Sequence, residues 1–167
     1  MGKDEKIQYS FKEVKMESNQ VLKRSEVPIE QTWNLEKIFP TVQAWEEALE
    51  SIDDQINDIK KYENTLSQSP EQLFKCLKKS EEVSRKVEKI FLYANLGSSV
   101  DNSDQEALAR AVQGRSKFAK LHAVIAFIEP ELITIGFPTL QKWCDENKDL
   151  ALYRTYFKQL ERKQTKV

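Results

Sequence analysis

From Thr41 onward the apolar side chains recur at helical spacing. Trp45, Leu49, Ile52, Ile56 and Ile59 fall at steps of four, three, four and three, so one face of a helix over 42–62 is apolar. Glu63 to Gln68 break the pattern. Ser69-Pro70-Glu71-Gln72 then combines a capping serine, a proline at the first helical position and a glutamine where a capping box wants it. The helix it opens, 70–96, carries Leu73, Leu77, Ser80, Val83 or Ser84, Val87, Phe91 and Ala94 on one side, and Gly97 is its expected stop.

Ser103-Asp104-Gln105-Glu106 reads as a second capping box opening a helix over 104–128. Its expected inner stripe is Leu108, Ala111 or Val112, Arg115, Phe118 or Ala119, His122, and Ile125 or Ala126, with a break at Glu129-Pro130. Shorter helices follow: one through Glu131 to Ile135 ending at Gly136, one from Pro138 with Leu140 and Trp143, and one from near Asp149 with Tyr153, Phe157 and Leu160. The pattern predicts an all-α fold, an antiparallel bundle of long helices followed by shorter ones. Ile133, Ile135, Phe137, Leu140 and Trp143 crowd a short proline-interrupted stretch, which predicts an exposed apolar surface and self-association.

Upstream, Ile7, Tyr9 and Phe11 alternate too briefly to define a strand, so residues 1–24 are expected to form a flexible arm and 25–167 a helical domain. Between them, Trp33, Leu35, Ile38 and Phe39 form an apolar plug, with Asn34 as its cap and Pro40 as its end. Charge adds a register. Glu46, Glu47, Glu50, Asp53, Asp54 and Asp58 give the first helix an acidic stretch without a base, and the second carries Lys75, Lys78, Lys79, Arg85, Lys86 and Lys89. Antiparallel packing would set acids beside bases.

Composition narrows the function. With 32% charged residues, 40% apolar and a net charge of −1, nothing argues for nucleic acid or an anionic membrane. The longest apolar run, Ala123 to Ile128, is far short of the ~18 residues of a membrane span. Met1 to Lys6 has charge but no apolar core behind it, so no secretory leader is expected and the chain reads as cytoplasmic. Cys76 and Cys144 lie far apart in amphipathic patterns and read as reduced thiols.

Candidate chemistry is sparse. His122 is the only histidine, so a zinc site with two histidines one helical turn apart is not available, and it reads as a core or boundary residue. Neither cysteine has a partner at metal spacing, and no serine or cysteine has a second imidazole to serve it. Glu129 and Glu131 are two carboxylates at a helix junction, where the helix dipole alone explains acids. Asp101-Asn102-Ser103-Asp104 lacks the glycine and final glutamate of a calcium loop. No catalytic, cofactor-binding or metal residue is assigned.

Four colinear segments nonetheless carry a resemblance: Arg24-Ser25-Glu26-Val27-Pro28 through Thr32-Trp33-Asn34-Leu35 to Ile38-Phe39-Pro40; Lys89 to Leu96 with Asp101 beyond; Phe127-Ile128-Glu129-Pro130-Glu131-Leu132; and Leu152 to Phe157 ending in Leu160-Glu161-Arg162. In order and spacing they resemble the oligoendopeptidase F peptidases of the thimet-oligopeptidase-like zinc family. The resemblance implies the N-terminal region of such an enzyme, truncated before its H-E-x-x-H zinc helix and without activity of its own. Zinc and oligopeptide substrates would then belong only to a full-length parent, and the partner would be the missing catalytic domain or a second copy. The alternative is a free-standing helical interaction module, an adaptor or regulator.

Overall fold

The computed structural model describes residues 27–28, 33–100 and 103–165. Contacts divide the chain into two units, Met1–Thr32 and Trp33–Val167. The expected N-terminal arm lies outside the described residues, and the described helices all belong to the second unit.

Six α-helices succeed a 3-10 turn at Leu35–Lys37: α1 (Val42–Ile59), α2 (Pro70–Val100), α3 (Gln105–Ile125), α4 (Ile128–Ile135), α5 (Phe137–Glu146) and α6 (Arg154–Gln164). Two further 3-10 turns, Lys60–Tyr62 and Leu150–Tyr153, end α1 and lead into α6. No strand occurs among the described residues, and the fold is all-α. No single described helix is long and apolar enough to cross a membrane.

The helix starts obey the capping side chains. Thr41 Oγ1 accepts the Ala44 N–H at 3.1 Å, Ser69 Oγ that of Gln72 at 3.2 Å, and Asp104 Oδ1 that of Ala107 at 2.9 Å. Each satisfies one of the orphan donors of a first turn. Two details depart from the expected boxes. Asp104, not Ser103, caps α3, and the Gln72 amide reaches Thr65 Oγ1 at 3.0 Å, so it fastens the preceding turn. Asn34 sits at the start of the Leu35–Lys37 turn but makes no side-chain cap.

α2 is ~45 Å long at 1.5 Å per residue and serves as a spine for two cores. In the first, Trp45, Ile52, Ile56 and Ile59 of α1 meet Val83, Val87, Ile90 and Ala94 of α2, with Leu121 of α3. In the second, Leu73, Cys76 and Leu77 at the start of α2 meet Leu66, Leu132, Leu140, Leu150, Phe157 and Leu160. Ile125 and Phe127 pack against both. Burying such side chains contributes about 1.5–3 kcal/mol each, which is how the fold is held without disulfides. Leu140 is fully buried, and Ile135, Phe137 and Trp143 are partly buried against the second core, so the expected apolar surface there is covered in part within the unit. Only Ile133 of that group is exposed.

The sequence expectation for α3 needs correcting. Its buried residues are Ala107, Ala111, Gly114 and Leu121, while Arg115 and His122 are exposed. A Cβ on Gly114 would lie 3.3 Å from Phe91 Cα and 3.4 Å from Ala94 Cβ. Small residues therefore let α3 lie close against α2, and that close approach selects its inner face. Gly97 likewise does not stop α2, which continues to Val100. Among the described glycines only Gly136, at the α4–α5 junction, takes a positive φ, of 87°. The break after α3 falls at Ala126–Phe127, ahead of the expected Glu129-Pro130. Pro130 has no N–H for the carbonyl four residues back, that of Ala126, so a continuous helix must stop there, while proline is accommodated in the first turn of α4.

The charge register also differs. Among the described residues no α1 carboxylate is within ion-pair distance of an α2 cation; Lys86 Nζ instead donates to the Gln55 amide oxygen at 2.6 Å. Asp53 turns to α3, accepting Lys117 Nζ at 2.5 Å and Lys120 Nζ at 3.1 Å. The Lys117 hydrogen bond, more than any other contact, holds its carboxyl below the usual range. A depressed native pKa means stability that is present above the unfolded value and lost as pH falls through the native one. Asp53→Asn is therefore expected to cost ~0.2–1 kcal/mol at neutral pH, a small effect because the pair is partly solvated. The difference from wild type should disappear in strong acid, as urea unfolding at both pH values will show.

Candidate functional site

A groove of about 1030 Å³ runs along one side of α2. One wall is an α2 stripe at helical spacing, Leu77, Glu81, Ser84 and Glu88. The opposite wall comes from the end of α3 and start of α4, through His122, Ile125 and Glu129, and from Tyr153 and Tyr156. Burial pushes both tyrosine hydroxyls up to about 12, with Glu81 beside Tyr153 and Glu129 beside Tyr156 adding to it. Both hydroxyls stay protonated at neutral pH. Ser80 lies 7% exposed in the groove wall, and its buried Oγ makes no hydrogen bond of acceptable geometry.

His122 is exposed and rests on the Phe118 ring at 4.5 Å between centroids, and among the described residues no hydrogen bond ties it to a nucleophile or a carboxylate. The sequence pattern puts it in the core or at its boundary; the structure puts it at the surface. Cys76 and Cys144 are free, buried thiols in the second core. Burial pushes Cys76 up to about 11, with the Ser80 hydroxyl acting the other way, and it also raises Cys144, whose Sγ lies 3.5 Å from the Leu150 carbonyl. Neither is a thiolate near neutral pH. Among the described residues no three His, Cys, Asp or Glu side chains gather as metal ligands, so these residues do not fit a zinc ion. Asp101 and Asn102 lie outside the described residues.

The two junction carboxylates have separate fates. Glu131 is a structural clamp: its carboxylate accepts the backbone N–H groups of Asn64 at 2.5 Å and Leu66 at 3.2 Å. It thereby fixes the α1–α2 turn, in which Asn64 takes a φ of 62°. Glu129 stays exposed at the groove rim. Glu131→Gln should thus lower stability by about 1–2 kcal/mol through loss of the charge-assisted bonds. Glu129→Gln should stay within ~0.5 kcal/mol of wild type, and paired denaturant melts will separate the two. The groove itself is not visible in the sequence pattern, because its walls are contributed by five elements, α2, α3, α4, the Leu150–Tyr153 turn and α6. Of the four acids of α2, Glu71, Glu81, Glu82 and Glu88, only Glu81 and Glu88 line it, seven residues apart on one face.

The chain is related over most of its length to the oligoendopeptidase F peptidases. Oligopeptidase PepF of Bacillus subtilis strain 168 is 28% identical over 136 residues, which is 81% of this chain and 20% of that protein. The plasmid-borne oligoendopeptidase F of Lactococcus lactis subsp. cremoris is 28% identical over 138 residues, 82% of this chain and 23% of its own length. A crystal structure of oligoendopeptidase-F from Enterococcus faecium matches 73% of this chain and 24% of that chain with a TM-score of 0.67 at 23% identity, so the helical architecture is shared. No family model matches. The chain spans only about a fifth to a quarter of the length of these relatives.

Proposed function

We propose that this chain is the counterpart of the N-terminal helical region of an oligoendopeptidase F-like zinc peptidase, residues 25–167 forming a supporting domain with no catalytic or metal-binding group. The observation that carries the reading is similarity over 81–82% of the chain to proteins of which it spans only 20–23%. In a complete enzyme of this kind the H-E-x-x-H helix would supply zinc chemistry from elsewhere in the polypeptide. The helices described here would wall the space that admits short peptides, and the setting would be cytoplasmic. The partner of the domain is then the catalytic remainder.

Two measurements test this. The purified chain, with or without added zinc, is expected to leave quenched fluorescent oligopeptides intact; chelator-sensitive cleavage that follows the chain through several columns overturns the non-catalytic assignment. A chimera in which this chain replaces the matching stretch of the Bacillus subtilis protein is expected to retain zinc-dependent cleavage. A chimera that folds and holds zinc yet cleaves nothing overturns the supporting role.

A further inference from the structure

α3 is held on two sides and bare on a third. Ala107, Ala111, Gly114 and Leu121 are buried, with Gly114 close against α2. Lys117 and Lys120 tie one flank to Asp53 of α1, and Arg110 turns to Asp104 and Glu106. Opposite Gly114, helical spacing brings Ala109, Val112, Ser116, Ala119 and Ala123 into one line. All five are exposed, Val112 at 65%.

An outward helix face normally carries charge, yet in a chain with 32% charged residues this line carries none. Its positions follow steps of three, four, three and four, the spacing of a seam between two helices. Alanine and serine leave hollows along such a seam, and larger side chains of a neighbouring helix fill them at close approach. The line is about 21 Å long at 1.5 Å per residue.

The size of these residues also selects the partner. Two copies meeting here would set small against small, with Val112 the only large side chain on each, and would offer little of the ~800 Å² per partner that a stable association buries. A seam so poor in large side chains suits a neighbour that is already tethered, because the tether takes the place of concentration. The relatives contain such a neighbour: the matched stretch is 20–23% of their length, so most of each polypeptide lies outside it.

We propose that the outer face of α3 seats an α-helix from the catalytic remainder of a longer polypeptide, whose leucine, isoleucine or valine side chains enter the hollows around Ala109, Ser116, Ala119 and Ala123. This rests on the reading of the chain as a supporting domain and adds the surface through which that domain meets its partner. Val112 is the one large apolar side chain that this face contributes to the contact.

The test is thiol protection. Val112→Cys, Ala119→Cys and a control on the exposed, acidic side of α1, Glu50→Cys, are made in the full chain and in the Bacillus subtilis chimera. A charged, water-soluble maleimide reports each rate against the unsubstituted protein, in which Cys76 and Cys144 are buried. In the chain alone all three thiols are expected to react at similar rates. In the chimera those at 112 and 119 should slow by about tenfold or more, because labelling then needs a local opening, while the control is unchanged. Unchanged rates at 112 and 119 in a chimera that cleaves peptides overturn this inference and leave the supporting role standing. A chimera that folds and holds zinc but cleaves nothing overturns the supporting role, and its thiol rates still decide the contact. Should the chimera fail to fold, the rates are read on this chain co-expressed with the rest of the Bacillus subtilis protein; full reactivity there, or no complex to recover, overturns the proposal. Protection already present in the chain alone overturns it as well: lost on dilution it identifies a second copy, and retained it identifies a cover within the chain.

Discussion

Replacing Gly114 by leucine is expected to cost about 3 kcal/mol, the upper part of the range for overpacking a filled interior. The reason is the surface that α3 presents to α2. Even a bare Cβ at this position meets Phe91 Cα at 3.3 Å, Ala94 Cβ at 3.4 Å and the Ile90 carbonyl at 3.5 Å. Two of those three atoms are backbone and cannot rotate away. Leucine adds three carbons beyond that point, so the helices must separate and the first core must loosen. Gly114→Ala provides the calibration. Its squeeze is opposed by the ~1 kcal/mol that alanine gains over glycine inside a helix, so it should stay within about 1 kcal/mol of wild type. Denaturant midpoints of the three proteins measure this, and a leucine variant as stable as the alanine one would show that the α2–α3 contact is soft.

The second large effect is at Trp45. This side chain is 1% exposed, its indole N–H donates to the Ile90 carbonyl at 2.9 Å, and its ring stacks on Tyr93 with centroids 6.3 Å apart. Tyr93 in turn meets the edge of Phe39 at 5.5 Å. Trp45→Ala removes the largest side chain of the first core and leaves a cavity between α1 and α2, an expected loss of about 3–5 kcal/mol. Trp45→Phe keeps most of the apolar bulk and forfeits the hydrogen bond, so roughly 1–2 kcal/mol is expected. Thermal melts followed by near-ultraviolet dichroism read both. A cost below about 1 kcal/mol for alanine would mean that the aromatic cluster does not hold α1 in place.

The part of this fold legible in sequence is the part that large aliphatic side chains control. The α1 stripe of Trp45, Ile52, Ile56 and Ile59 and most of the α2 stripe are buried as their spacing implies, because each buried branch contributes directly. The capping residue before α2, Ser69, is equally plain, since few side chains suit an N-cap. The pattern misleads at Arg115 and His122, because the inner face of α3 is built from Ala107, Ala111 and Gly114, whose value lies in their smallness. Asp53 pairs with α3 rather than with α2, a choice made by how the helices approach each other. The candidate groove is invisible for a similar reason. Glu88, Glu129 and Tyr156 lie far apart in the chain, and only the packing of α2 against its neighbours brings them to one surface.

Because α2 runs through both clusters, the two halves of this unit share one structural member and cannot yield separately. A chain ending at residue 125 would keep the α1–α2–α3 partners but strip Leu73, Cys76 and Leu77 of the α4, α5 and α6 residues that cover them. A chain beginning at residue 70 would do the converse to Val83, Val87 and Ile90. Amide exchange in the middle of α2 should therefore report global opening for both, whichever end is perturbed. In mechanical language the helix is a splint: a strain applied through the C-terminal helices would be carried along it to the far end of the bundle.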